Sequence, residues 1–126
     1  MAVMTTALRA EIFPADLDAT VDFYSRVLSF EVTLDQRETH GYVALARDGV
    51  RLGAAARTPP SGLDVARRPP IGVELVLEVD DVERERERVR GAGWPLDEEL
   101  TARPWGLTDF RVVDPDGYYL RITDRP

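Results

Sequence analysis

Two stretches of the chain, residues 7–13 (ALRAEIF) and 71–79 (IGVELVLEV), alternate in a way that predicts half-buried strands. In the first, Ala10, Ile12 and Pro14 are expected on the packed face, which turns Arg9, Glu11 and Phe13 the other way. In the second, Val73, Leu75, Leu77 and Val79 are expected to pack, leaving Glu74, Val76 and Glu78 opposite. A helix is predicted after each strand. Asp16 is placed to cap one in which Leu17, Val21, Tyr24 and Leu28 recur at helical spacing. Asp81 is placed to cap the other, with Val82 and Val89 inward and Gly91 as its stop. The run ERERER within it reads as a solvated, ion-paired helix face, because acids and bases alternate.

Three strand-like segments follow each helix. The first set is FEVTLD, GYVALAR and VRLGAAAR; the second is WPLDEEL, TDFRVVD and YYLRITD. The last two members of each set are joined through Asp48-Gly49 or Asp116-Gly117, a strong hairpin signal between alternating strands. On the last strand Tyr118, Leu120 and Ile122 are expected to pack, with Tyr119, Arg121 and Thr123 on the opposite face. The chain thus repeats one β-α-β-β-β unit. The fold class expected is α+β, with two tandem βαβββ modules forming a curled mixed sheet around a concave cavity. Module one spans about 7–57, a proline-rich linker or flap about 58–70, and module two about 71–124. All of it forms one domain, which suits a chain of 126 residues.

Composition narrows the chemistry. The formal net charge of −7 argues against nucleic acid, whose affinity comes largely from phosphate neutralisation. No apolar run reaches membrane-spanning length and no signal peptide is visible, so a cytoplasmic location is expected. There is no cysteine, hence no disulfide, thiolate ligand or thiol nucleophile. There is no lysine either, which removes Schiff-base chemistry. Ser25, Ser29 and Ser61 have no sequence context that suggests an adjacent base, and the single histidine, His40, lies at the start of a predicted strand.

The segment DLDATVDFYSRVLSFEV resembles the DLE-x-x-x-x-FY-x-x-x-LGF element of the vicinal oxygen chelate superfamily. This group includes glyoxalase I, extradiol dioxygenases, fosfomycin-resistance enzymes and bleomycin-resistance proteins. LEVDDVE and DFRVVDPDGYYLRI are similar to its second-half elements, so the resemblance spans nearly the whole chain. It implies metal-ligand positions on the first and last strand of each module, which here fall on Arg9, Gly53, Glu74 and Arg121. Only Glu74 is able to ligate. Two guanidiniums, which do not deprotonate in proteins, repel a divalent cation that needs three or more N or O donors. No metal and no other cofactor is expected.

The resemblance also implies a use for the rest of the cavity. RPWGLTDF is similar to the PWG segment of bleomycin-resistance proteins, where the tryptophan lies beside a drug groove between two subunits; Trp105 takes that place here. Trp supplies a large flat contact surface for planar ligands. The expected binding residues are Arg9, Glu11, Phe13, Tyr42, Glu74, Trp105, Tyr119 and Arg121. Arg9 and Glu74, at related positions of the two modules, are expected to pair across the cavity floor, with Arg121 joining Glu11 or Glu74. These charges either fill a vestigial metal site or hold a polar ligand. The leading expectation is a homodimer that sequesters a bulky cytotoxic natural product: a bleomycin-like glycopeptide, a mitomycin, a polyaromatic or an enediyne. The alternative is a metal-independent isomerase, cyclase or lyase using Glu11 or Glu74 as general base.

Overall fold

The computed structural model of the chain describes residues 6–57 and 68–125. Most of the expected linker, and Ser61 with it, lies outside the described residues. Module one contributes β1 (Ala10–Ile12), α1 (Leu17–Asp22), a π turn (Phe23–Val27), β2 (Glu31–Gln36), α2 (Arg37–His40), β3 (Tyr42–Arg47) and β4 (Val50–Ala55). Module two contributes β5 (Leu75–Glu78), α3 (Val82–Gly91), β6 (Glu98–Ala102), β7 (Thr108–Val113) and β8 (Tyr119–Thr123). The strand order is β1-β4-β3-β2 in one sheet and β5-β8-β7-β6 in the other. In each, the strand that precedes the long helix runs parallel to the last strand, and the remaining pairs are antiparallel. The α+β tandem βαβββ architecture is thus present, as two four-stranded mixed sheets that are not closed.

Local chemistry explains the elements. Asp16 accepts a hydrogen bond from Ala19 N at 3.1 Å, and Asp81 one from Arg84 N at 3.0 Å, so both predicted caps form. The last turn of the first helix widens into a π turn, in which Leu28 N reaches back to Phe23 O and both Phe23 and Tyr24 are fully buried. Strand alternation holds within the strands: Val43, Leu45, Leu52 and Ala54 from one sheet and Phe110, Val112, Leu120 and Ile122 from the other join one apolar core with the helices, whereas Val73, expected to pack, precedes β5 and is exposed.

Several details differ from the sequence reading. The sixth strand starts at Glu98 and not at Trp94, because the Trp94 indole donates to Val113 O at 2.9 Å and packs at a tilt against Phe23, while Pro95 has no N–H to pair. Helix α3 runs through Gly91, and the left-handed residue that follows is Gly93, at φ +78°. His40 closes the short helix α2 and is exposed, with Gly41 at φ +62° turning the chain into β3. Within ERERER, Glu85 is buried, held by Arg47 of module one and by Arg88. That face of the helix packs on the other module and is not wholly solvated.

The two modules are joined through the turn after β7. Tyr24 Oη donates to Asp114 Oδ2 at 2.8 Å, and Asp114 Oδ1 accepts from Asp116 N and Tyr118 N, both at 2.9 Å. Asp116 Oδ1 in turn accepts from Ala15 N and from Arg57 Nη2, each at 2.9 Å. Phe13 N donates to Tyr118 Oη at 3.0 Å. The turn DPDG therefore closes a hairpin and also receives β1 and the start of α1. With the core drawn inward, each sheet turns its other face away from the helices, and the chemistry lies there.

Candidate functional site

On the open face of module one, the strands bring together Arg9, Glu11, Tyr42 and Gly53. Glu11 stands opposite Gly53 in the parallel β1–β4 pair. Its carboxylate takes the Arg9 guanidinium at 2.9 Å and accepts from Tyr42 Oη at 3.1 and 3.3 Å. A side chain on Gly53 would start well inside contact distance of Glu11 Oε2 and Tyr42 Oη, so the glycine makes the room they occupy. Burial, followed by the neighbouring Glu11 carboxylate, pushes the Tyr42 phenol above its usual range. Arg9 pairs with Glu11 and not, as expected, with Glu74. The reason is sheet geometry: residues two apart on one strand share a face, whereas the first strands of the two modules belong to separate sheets.

Module two carries a larger charged lattice. Arg121 binds Glu74 at 2.8 Å, as one of the two expected pairings had it. Arg111 lies directly opposite Arg121 across β7–β8, an arrangement of like charges that is unfavourable unless a carboxylate intervenes. Glu74 does so, standing 3.5 Å from Arg111. Beyond it, Arg103 holds Asp109 and Glu98, each at 2.8 Å, and this draws the Glu98 carboxyl below its usual range. Tyr119 donates to Asp97 at 3.0 Å, and the Arg111 guanidinium lies 5.9 Å from the centre of its ring. Burial works against the charge of Arg111, but Tyr119, Glu74, Asp109 and Glu98 outweigh it and raise its pKa.

Glu11, Phe13 and Tyr119 line one cavity of about 540 Å³ between the modules, together with Val73 and Leu75. Glu74 and Tyr119 line a neighbouring one of about 400 Å³ with Gly72 and Val73. Trp105 stands apart from both, 58% exposed in the tight turn between β6 and β7, where Arg103 N meets Leu107 O. Arg103, Glu98, Asp109 and Arg111 were missed in the sequence. For Arg111 the signal was available: continuing the hairpin register back from Asp116-Gly117 sets residue 111 opposite Arg121.

The four positions where a divalent cation is expected in such a fold do not fit one. Arg9 and Arg121 are cations, Gly53 has no donor, and Glu74 is engaged by two guanidiniums. Among the described residues there is no group of three or more His, Asp or Glu suited to hold a metal ion.

Paired βαβββ modules with charged open sheet faces define a class of small α+β proteins, and the comparisons name it. The chain belongs to the Glyoxalase/Bleomycin resistance protein/Dioxygenase superfamily, whose model matches residues 6–122. Solved structures share the fold along their length. TioX from Micromonospora sp. ML1 superposes with a TM-score of 0.79 at 22% identity, covering 96% of this chain and 99% of its own. UcmS2 gives 0.78 at 23% identity, with 98% and 100% covered. Lactoylglutathione lyase from Agrobacterium tumefaciens gives 0.73 at 19% identity, with 97% and 95% covered. At these identities the likeness is one of fold. No curated protein matches the chain.

Proposed function

We propose that the protein is a metal-independent binding protein that sequesters a bulky natural product in grooves of a cytoplasmic homodimer. The observation that carries this reading is the chemistry at the four metal positions. A guanidinium–carboxylate pair sits over a glycine in one module, and two guanidiniums share a carboxylate in the other. Such groups orient a polar ligand by charge-assisted hydrogen bonds and supply no Lewis acid. Exposed apolar side chains add support. Val73, Val76, Ile71 and Trp105 are exposed, and a partner subunit or a flat ligand would cover them. Among the described residues no helix is long and apolar enough to cross a membrane.

Fluorescence titration with bleomycin, mitomycin C and a polyaromatic antibiotic tests the reading. The expected outcome is saturable tryptophan quenching, reduced at least severalfold in Trp105→Ala, with the compound recovered unchanged. Recovery of a converted product would instead favour an isomerase, cyclase or lyase with Glu11 as base. Light scattering at the working concentration should give twice the chain mass.

A further inference from the structure

We infer that Arg111 and Arg121 form a two-guanidinium clamp for a singly charged carboxylate on the ligand, so that the natural product bound here is an acid with an aromatic or otherwise flat body. The inference rests on the binding reading above and adds the ligand's chemical class.

Three observations lead to it. First, the donors and acceptors are badly matched, for Asp109 Oδ2 is buried without a partner as well. Arg121 has one close carboxylate, Glu74 at 2.8 Å. Arg111 has none as close: its nearest carboxylate oxygens belong to three different residues, Glu74, Glu98 and Asp109, at 3.5, 3.6 and 3.8 Å. The Nε atoms of both arginines are buried without a hydrogen-bond partner. Guanidinium donors left in this state carry an energetic penalty that an incoming pair of oxygens relieves.

Second, charge sets the valence. Glu98 and Asp109 are already held at 2.8 Å by Arg103. Arg103, Arg111 and Arg121 together face Glu74, Glu98 and Asp109, three charges against three, so an incoming anion must take the place of Glu74 on the two guanidiniums. One carboxylate does so without changing the balance. A dianion does not, because Glu74, Glu98 and Asp109 all stand close enough to repel a second negative charge.

Third, the clamp has an access route and a platform. Glu74 and Tyr119 line the cavity of about 400 Å³. The side chains of Arg111, Arg121 and Glu74 retain 17%, 26% and 27% exposure, so none is sealed in. Tyr119 lies under Arg111, which leaves the ring edge and the apolar Val73 and Val76 as surface for a flat ligand body. Planar two-oxygen groups are what a guanidinium fork matches best.

The test compares 1-naphthoate with its neutral counterpart 1-naphthamide by calorimetry at about pH 8.5, where inorganic phosphate, the competitor, is a dianion. The acid is expected to bind about tenfold or more tightly than the amide, and phosphate should not displace it. In Arg121→Gln and in Arg111→Gln the acid's advantage should vanish while amide binding stays. The double substitution Arg111→Gln with Glu74→Gln keeps the local charge balance and guards against a folding defect; it too should lose the preference. Equal binding of acid and amide overturns the clamp and leaves the small-molecule site standing. A preference that survives both arginine substitutions, or displacement by phosphate, also overturns the clamp. Binding of neither compound by the folded protein overturns it and counts against the site as a receptor for flat ligands, a result the antibiotic titration checks separately.

Discussion

The two modules share one topology and solve the same problem in opposite ways. Each has an open sheet face whose middle would, in a metal-binding relative, carry ligands. In module one the site is closed from within: Gly53 has no side chain, and Glu11, Arg9 and Tyr42 collapse into the space with every charge paired. In module two the charges balance, but two buried guanidinium nitrogens have no partner. Arg111 and Arg121 face each other across a strand pair and share Glu74. One topology thus gives one self-satisfied face and one with unsatisfied donors. The difference lies in side-chain identity, and the proposed clamp uses the face with unsatisfied donors.

The contrast can be broken most severely at the joint that holds the faces in place. Tyr24→Phe removes the hydroxyl that serves the buried Asp114 carboxylate, and should cost about 2 kcal/mol. Thermal melting would check this; an unchanged midpoint would mean that the turn holds the modules without Tyr24. The next effect belongs to module two. Glu74→Gln leaves two opposed guanidiniums without their shared anion, for a loss of about 1 kcal/mol, yet it should tighten 1-naphthoate severalfold by removing an internal competitor. A weakened acid affinity in calorimetry would show that Glu74 positions the clamp and does not compete with it.

Gly53→Ala probes module one and should be milder, about 1 kcal/mol, because the atoms in the way are the movable ends of Glu11 and Tyr42. Naphthoate affinity should not change, which separates the two faces functionally. The smallest effect is one of pH. Burial raises the Asp114 carboxyl above its ordinary value of 3.8, against the hydrogen bonds from Tyr118 N, Tyr24 and Asp116 N. Protonation is then easier in the folded state, so this contribution is complete below 3.8 and lost as pH rises through the folded value. Relative to Asp114→Asn, the wild type should gain stability as pH falls from 7 toward 4, read as a change in the difference between their melting temperatures.

Much of this fold was legible in the sequence because the signals are local. Asp16 and Asp81 cap helices whatever they pack against, and the Asp-Gly dipeptides set the hairpins. Alternation sorted Leu120 and Ile122 from Tyr119 and Arg121, since a strand has only two faces. It also put Arg9, Glu11, Glu74 and Arg121 on the open faces. Where the reading slipped, a contact distant in sequence intervened. Along the chain Trp94 reads as the start of a strand, yet its indole belongs to Phe23 and Val113. Glu85 looked solvated until Arg47 of the other module reached it.

The sequence by itself determined the repeat and most strand faces, which follow from residue type and local periodicity, and, at the four positions the family resemblance implies, the presence of one metal donor only, Glu74. Only the tertiary structure decided which charge meets which. Arg9 goes to Glu11 because they share a strand face; Glu74 goes to Arg121 and Arg111 because pairing of β5, β8 and β7 stacks them side by side. Ion pairing depends on distances of a few ångströms between residues dozens of positions apart, and no periodicity along the chain encodes that.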